Sequence, residues 1–496
     1  MRAITPSLKI ARSLIAAACA LTGLAVQAAT INITSRDPAG VGFNDPTPAA
    51  PVGGNTGTTV GEQRLNVYRY VAGIWEQAIQ SDVTITVNAA WEALTCTATS
   101  AVLGSASAWN IWRDFPGGVP GTWYPQALAN KLSHVNLSAG QPDDGSGFGN
   151  VDIKTQFNVN LGNPGCLDGT PFYLGLDGNA AGKVNFVETL LHELGHGLGF
   201  SVLTVQTSTG FRLNAAGQAF VATGGLPSIW ETFMYDNTAQ KTWLNMTSLE
   251  RKNSAINPLG LAWNGPNVLS GAPMLAHVPI VKTVSPAPGG SRLLDYAASS
   301  FGPAIVNPGA LGALAVVATQ AGELGPGCSP FNATNASAVA GRVALVSRGG
   351  CTFVIKVKNA QNAGAIGVLL PNNVAGMQPP GGADATITIP SAGILQTDGD
   401  ALKAAVAAAV PYGPRGKAGS VTATWSSDPA RTAGADAAGR PLLYTPSALA
   451  SGSSVSHWDV TAFPNLLMEP NINPDLGTIL VAPKDLTLPL LKDVGW

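Results

Sequence analysis

The sequence predicts an α+β protein in which a helix lies on a sheet, with a second, smaller α/β unit toward the C-terminal side. Apolar residues recur at helical spacing from Glu62 to Gln80 and again from Lys183 to Gly199. Between them Asp82–Asn88 (DVTITVN) alternates apolar and polar residues, the period of a strand with one buried face. From Pro303 to Ala430 charged residues thin out, and short Val-rich runs alternate with short helical patterns.

Taken in order, residues 1–28 read as a secretory signal. Arg2, Lys9 and Arg12 precede an apolar run, Ser13–Val26, and small residues flank a cut after Ala28. The run is shorter than the roughly 20 apolar residues of a membrane anchor. No Leu stands three residues before Cys19, which argues against a lipid anchor. Asp37–Gly61 is rich in Gly, Pro, Asn and Thr and reads as loop. In the first helix Leu65, Val67, Tyr68, Val71, Ile74, Trp75 and Ile79 share a face. Val151–Val159 and Phe172–Leu176 are further strands, separated by Gly and Asn-Pro turns. The second helix buries Val184, Val187, Leu190, Leu191, Leu194 and Leu198, and Gly195, Gly197 and Gly199 mark where it weakens and stops. In the smaller unit, strands are expected at Val343–Val346, Ala365–Leu370 and Thr386–Ile389, and helices at Val354–Ala363 and Asp400–Val410. Beyond Arg431 Trp, Pro and Leu return, and the chain closes on a helix at Leu486–Val494. No internal repeat is present, and Ala310–Ala318 and Ala404–Val410 are too short to span a bilayer.

The chain has 496 residues, 45% hydrophobic and 11% charged, so its length accommodates two to four domains and a substantial core. A net charge of −2 leaves no electrostatic footprint for nucleic acid, and high apolar content with small net charge excludes wholesale disorder. Removing the signal leaves Cys96, Cys166, Cys328 and Cys351, an even count that in an exported chain favours disulfides. Of the three connectivities, Cys96–Cys166 with Cys328–Cys351 keeps each pair within one expected domain.

The chemistry concentrates at His192-Glu193-Leu194-Gly195-His196, an HExxH motif. On a helix, residues four apart lie on one face, so both imidazoles can reach one ion. Zinc accepts imidazole nitrogen at about 2.0–2.1 Å, and catalytic zinc takes three protein ligands and a water. Glu193, beside the first ligand, can take a proton from that water. Two histidines leave the site one ligand short. His134, His277 and His457 remain, and an acidic third ligand such as Glu231 or Glu250 is the other zinc pattern. His134 and His277 have no motif around them and read as structural or surface residues; Asp459 reads as a loop acid.

The compact metzincin motif places Gly three residues after the second His and the third His three residues later. Gly199 matches, but Val202 holds the His position. Far downstream the chain reads Ser454-Val455-Ser456-His457-Trp458-Asp459 and then Asn465-Leu466-Leu467-Met468-Glu469-Pro470. With these pieces the sequence resembles the leishmanolysin-like branch of the metzincins, which has HExxHxxGF, a long insertion, a Ser-His-Trp and a Leu-Met-x-Pro turn. The resemblance implies His192, His196 and His457 as zinc ligands, Glu193 as general base and Met468 as the thioether floor beneath the metal. It covers the active-site helix and the last forty or so residues well, and the earlier strands loosely.

About 250 residues separate Val202 from His457, too many for a loop in a compact domain. Within them Gly341–Phe353 and Lys356–Ala365 look like a protease-associated (PA) domain, over roughly Pro303–Ala430. That family implies a lid or protein-contact module, and no acid, base or metal constellation lies inside it. The expected organisation is therefore a signal at 1–28, a metalloprotease domain at 29–302 and 431–496, and a PA insert at 303–430. The expected function is secreted (extracellular or periplasmic) zinc endopeptidase, acting on protein or peptide substrates, with no nucleic-acid partner and no membrane span after signal removal. The competing class is a non-catalytic secreted zinc protein using the PA domain for partner contact. Asn32, Asn136, Asn245, Asn332 and Asn335 fit the N-x-[ST] acceptor pattern.

Overall fold

Thr59 opens the first long helix, α1 (Val60–Ala78), with a capping box: its hydroxyl accepts from the Glu62 amide at 3.1 Å, and Glu62 Oε2 accepts from the Thr59 amide at 3.2 Å. Val67, Tyr68, Val71 and Trp75 form the buried stripe that the spacing predicts. The computed structural model describes residues 27–140, 150–203, 205–286, 291–409 and 420–496, so the expected signal lies outside the described residues but for Gln27 and Ala28. The neighbouring Ala29 is buried, and its amide donates to Ile79 O at 3.2 Å.

The first sheet runs β1 (Ile31–Ser35), β2 (Ile85–Glu92), β4 (Ile153–Asn158) and β3 (Gly104–Ala108) in spatial order. β1, β2 and β4 are parallel; β3 is the antiparallel edge strand on β4. The strand expected at Asp82–Asn88 is displaced to Ile85–Glu92. Ser81 and Val83 close a local turn, the Ser81 hydroxyl donating to Val83 O and accepting from Val83 N. At the far end Asn88 does not terminate the strand, because its side chain donates to Thr34 Oγ1 and accepts from Arg36. Of Phe172–Leu176 only Phe172–Tyr173 pairs, with Val184–Asn185.

The second long helix, α2 (Phe186–Leu198), packs on β3 and β4. Phe186 at its start sits 4.9–5.1 Å, ring to ring, from Phe157, Phe172 and Trp91, a buried aromatic cluster binding the helix to the sheet. The helix does not weaken at Gly195 or Gly197 but runs through both. A Cβ on Gly197 would stand 2.3 Å from Ile153 Cγ2, so glycine is what lets the helix lie close on β4. Gly199, at φ +121°, is the residue that ends it.

A second, eight-stranded sheet forms from later residues. In spatial order it runs β6 (Arg292–Asp295), β5 (His277–Val284), β12 (Thr422–Thr432), β8 (Gly309–Val316), β9 (Val343–Leu345), β10 (Gly367–Pro371), β11 (Ser391–Ile394) and β7 (Ala297–Ala298). The four strands β8 to β11 are parallel. Helices α3 (Phe353–Asn362) and α4 (Gln396–Ala408) cover this part. Its faces bury two cores separate from the first, one around Leu345, Leu369 and Leu402 and one around Val346, Val357 and Val368. The strand expected at Thr386–Ile389 is absent. Its amides are taken by side chains, Thr386 N by Asp384 and Thr388 N by Gln361, and the pairing strand starts after Pro390. Residues 277–302, which the sequence assigns ahead of this unit, contribute strands to its sheet.

The chain leaves for this sheet at Ala276 and returns at Ala433, and the Ala433 amide donates to Ala276 O at 2.8 Å. Residues beyond the return rejoin the first core through Leu443, Trp458, Leu467, Met468 and Leu490 of the C-terminal segment, whose last helix is α5 (Thr487–Val494). Disulfides join Cys96 to Cys166 and Cys328 to Cys351. No helix among the described residues is long and apolar enough to cross a membrane. The architecture is mixed α/β.

Candidate metal centre

Helix α2 is capped by Asn185, whose Oδ1 accepts from Val187 N at 3.0 Å. One turn apart on its buried length, His192 and His196 bring their Nε2 atoms to 3.1 Å. His457 arrives from the C-terminal segment with its Nε2 at 3.1 Å from that of His196 and 3.3 Å from that of His192. All three rings are buried.

The opposite nitrogens decide what these three atoms are. His192 Nδ1 is 2.7 Å from Leu467 O, His196 Nδ1 is 2.7 Å from Phe200 O, and His457 Nδ1 is 2.9 Å from Ser453 O. A carbonyl only accepts, so each Nδ1 carries the hydrogen and each neutral ring turns an Nε2 lone pair inward. Burial pushes His192 down to about 4; burial and the neighbouring His192 push His196 down to about 3, and His457 goes the same way. Three unprotonated lone pairs facing one point cannot hydrogen-bond one another. Zinc–imidazole bonds of about 2.0–2.1 Å in a tetrahedron give N···N edges of about 3.3–3.4 Å. The observed triangle and its nitrogen donors fit such an ion.

Glu193 is buried, and burial raises its carboxyl to about 8 against the nearby Ala106 amide of edge strand β3. Met468 lies beneath the helix. A Cβ on Gly195 would meet Met468 Sδ at 2.8 Å, so the HExxH glycine is the residue that admits the thioether. Met468 O accepts from the Trp458 amide at 2.8 Å, tying this turn to the residue after His457.

The remaining sequence candidates lie elsewhere. Glu231 is buried against Arg212 at 2.7 Å and caps the turn at Ser228. Glu250 completes the capping box of Thr247 and pairs with Lys241. His134 is exposed beside Asp82, His277 is exposed on β5, and Asp459 accepts from Thr461 within its own loop. Among the described residues the only group of three His, Cys, Asp or Glu able to share an ion is His192, His196 and His457. Asp485 stands in no motif of the sequence. Its buried carboxylate accepts from Leu467 N and Thr487 N, both at 2.6 Å, so it holds the residue whose carbonyl orients His192. The helix start at Leu486 signals a cap there, but nothing local signals the reach to Leu467.

Each comparison with known proteins covers a part of the chain. A stretch of 95 residues is 38% identical to Vacuolar-sorting receptor 5 of Arabidopsis thaliana, covering 17% of this chain and 15% of the receptor. Among solved structures, a zinc aminopeptidase from Bacillus subtilis shares 23% identity over 33% of this chain and 37% of its own, with a TM-score of 0.20. An aminopeptidase from Aneurinibacillus sp. strain AM-1 shares 19% over 40% and 42%, also at 0.20. These scores are too low to describe a common overall architecture. Residues 305–402 match the PA domain family. The chain therefore carries a PA domain within its second sheet.

Proposed function

We propose that this protein is a secreted zinc-dependent endopeptidase of metzincin type, its catalytic unit built from the residues on either side of the PA-containing module. The observation that carries the proposal is the meeting of three Nε2 lone pairs from His192, His196 and His457, each ring locked by a carbonyl on Nδ1. Three ligands without a fourth among the described residues suit an open, catalytic site rather than a closed structural one, which takes four. That speaks against the non-catalytic alternative.

Zinc held there would supply Lewis acidity, lowering the pKa of a water and polarising a scissile carbonyl. Glu193 is the base: a cation held by the three histidines would oppose the burial that raises its carboxyl and favour the ionised form, whose oxygen takes the water's proton and later passes it to the leaving amine nitrogen. Its position on the helix, one residue from His192, would place the carboxylate beside the reacting water. Edge strand β3, with Ala106 near Glu193, offers unpaired backbone groups along which an extended peptide can lie. Met468 and Gly195 hold the floor of the site in one packing arrangement. The two disulfides and the expected signal are consistent with export.

Glu193→Gln is expected to retain zinc, measured by metal analysis, while casein hydrolysis falls roughly a hundredfold or more. Undiminished hydrolysis would refute the base assignment. His457→Ala is expected to lose or loosen zinc, whereas Glu231→Ala keeps it and loses stability, by about 3 kcal/mol, because the largely buried Arg212 is left without its counter-charge. The reverse pattern in metal content would point to an acidic ligand.

A further inference from the structure

A cavity of about 270 Å³ lies between the segments around 210–225 and 246–251. Its wall holds two arginines. Arg251 is buried, 5% exposed, and Arg212 is partly so. The two guanidinium groups flank the same pair of backbone stretches: Arg212 Nη2 donates to Trp243 O at 3.0 Å, and Arg251 donates to Met246 O and, through Nε, to Gly210 O at 2.9 Å. Gly210 must be glycine for this approach, since at φ +68° a Cβ would collide with Ser248 O. The mouth is formed by exposed residues, Ala222, Thr223, Gly224 and Thr247.

The charges do not balance. Arg212 is matched by Glu231, and Glu250, next to Arg251 in sequence, is matched by Lys241. Among the described residues the acceptors in contact with Arg251 are neutral: Gly210 O, Met246 O and, at 3.2 Å, Ser248 Oγ. Burial and the facing Arg212 both push its guanidinium below its ordinary value, with Glu231 and Glu250 opposing from further off. Guanidinium nevertheless stays protonated in proteins, so the cavity wall carries a buried cation with no contacting anion among the described residues. Such a group costs free energy until a negative ligand enters, and a planar fork of N–H donors matches carboxylate and phosphate alike.

We propose that this cavity is a binding site for a small oxyanion, a carboxylate or phosphate group, held by Arg251 and Arg212. Its volume is below that of pockets for drug-sized ligands and suits a free anion or a single acidic side chain. None of its lining residues belongs to the histidine centre, and the proposal does not depend on the peptidase reading.

The test is calorimetric titration of the full chain at constant ionic strength with two probes. Inorganic phosphate reports a free oxyanion; N-acetyl-glutamate amide, compared with its glutamine analogue, reports an acidic side chain. Binding of either probe is expected, weakened by about tenfold or more in Arg251→Met and in Thr223→Glu, which places a like charge at the exposed mouth. Thr223→Gln is expected to bind as the parent does. Should Arg251→Met fail to fold, the Thr223 pair decides alone. No binding of either probe overturns the proposal, as does equal binding by Thr223→Glu and Thr223→Gln. Hydrolysis is not read, so failure here leaves the peptidase proposal standing, and the converse holds.

Discussion

Each imidazole of the candidate centre is oriented by a carbonyl from a different place in the chain: Leu467, Phe200 and Ser453. Local sequence explains only one of them, the Phe200 carbonyl, which follows from the helix stopping at Gly199. Gly195 shows the same division. Its presence in the motif is legible, but the sequence suggests a weakened helix, whereas contact with Met468 Sδ is the reason for it. At this scale a pH effect follows from Glu469. Its buried carboxyl accepts from Leu466 N and Asn473, and burial raises it to about 7. The folded protein therefore holds this proton to higher pH than the unfolded chain, whose carboxyl titrates near 4.5. Its contribution to stability is present below that value and is lost as pH rises through 7. Denaturant midpoints of wild type should fall relative to Glu469→Gln between about pH 4.5 and 7. Parallel profiles would contradict it.

Among the elements, the two long helices were readable because each has one strongly periodic apolar face, and α1 also carries its capping box in sequence. The strands were less so. β2 sits between β1 and β4, nearly all of it is buried, and its pattern does not alternate to the end. Thr386–Ile389 has strand composition but spends its amides on Asp384 and Gln361. Propensity cannot see a partner supplied by a distant side chain. The turn carrying Met468 is held in the same long-range way, by Asp485 on Leu467, Glu469 on Leu466 and the Trp458 amide on Met468 O. Asp485→Ala is expected to cost about 2–4 kcal/mol in equilibrium unfolding, since it orphans two buried amides. Zinc affinity should fall by about tenfold through the displaced Leu467 carbonyl. Asp485→Asn, which keeps an acceptor, should recover most of the metal binding. Unchanged zinc affinity in Asp485→Ala would show that Leu467 is placed without it.

For the whole molecule, the consequential feature is where the chain leaves and returns. Ala276 and Ala433 are hydrogen-bonded neighbours, and none of the described residues between them contributes to the core that holds the three histidines. A long excursion closed at its base adds little strain to the unit it interrupts. Replacing residues 277–432 by a Gly-Gly link should therefore leave a folded protein that still binds zinc, measured by circular dichroism and metal analysis. A product that neither folds nor binds metal would show that the second sheet supports the first core. The helix with its two histidines and its glutamate, the even cysteine set and the PA-like stretch are legible in the amino acids alone, because each is written in local spacing or in a contiguous motif. The meeting of His457 with His192 and His196, the hold of Asp485 on the residue whose carbonyl faces His192, and the cationic cavity between separate loops emerge in the folded chain alone. Those are contacts across tens to hundreds of residues, and they are fixed by packing and by the hydrogen-bond needs of buried groups rather than by any local pattern.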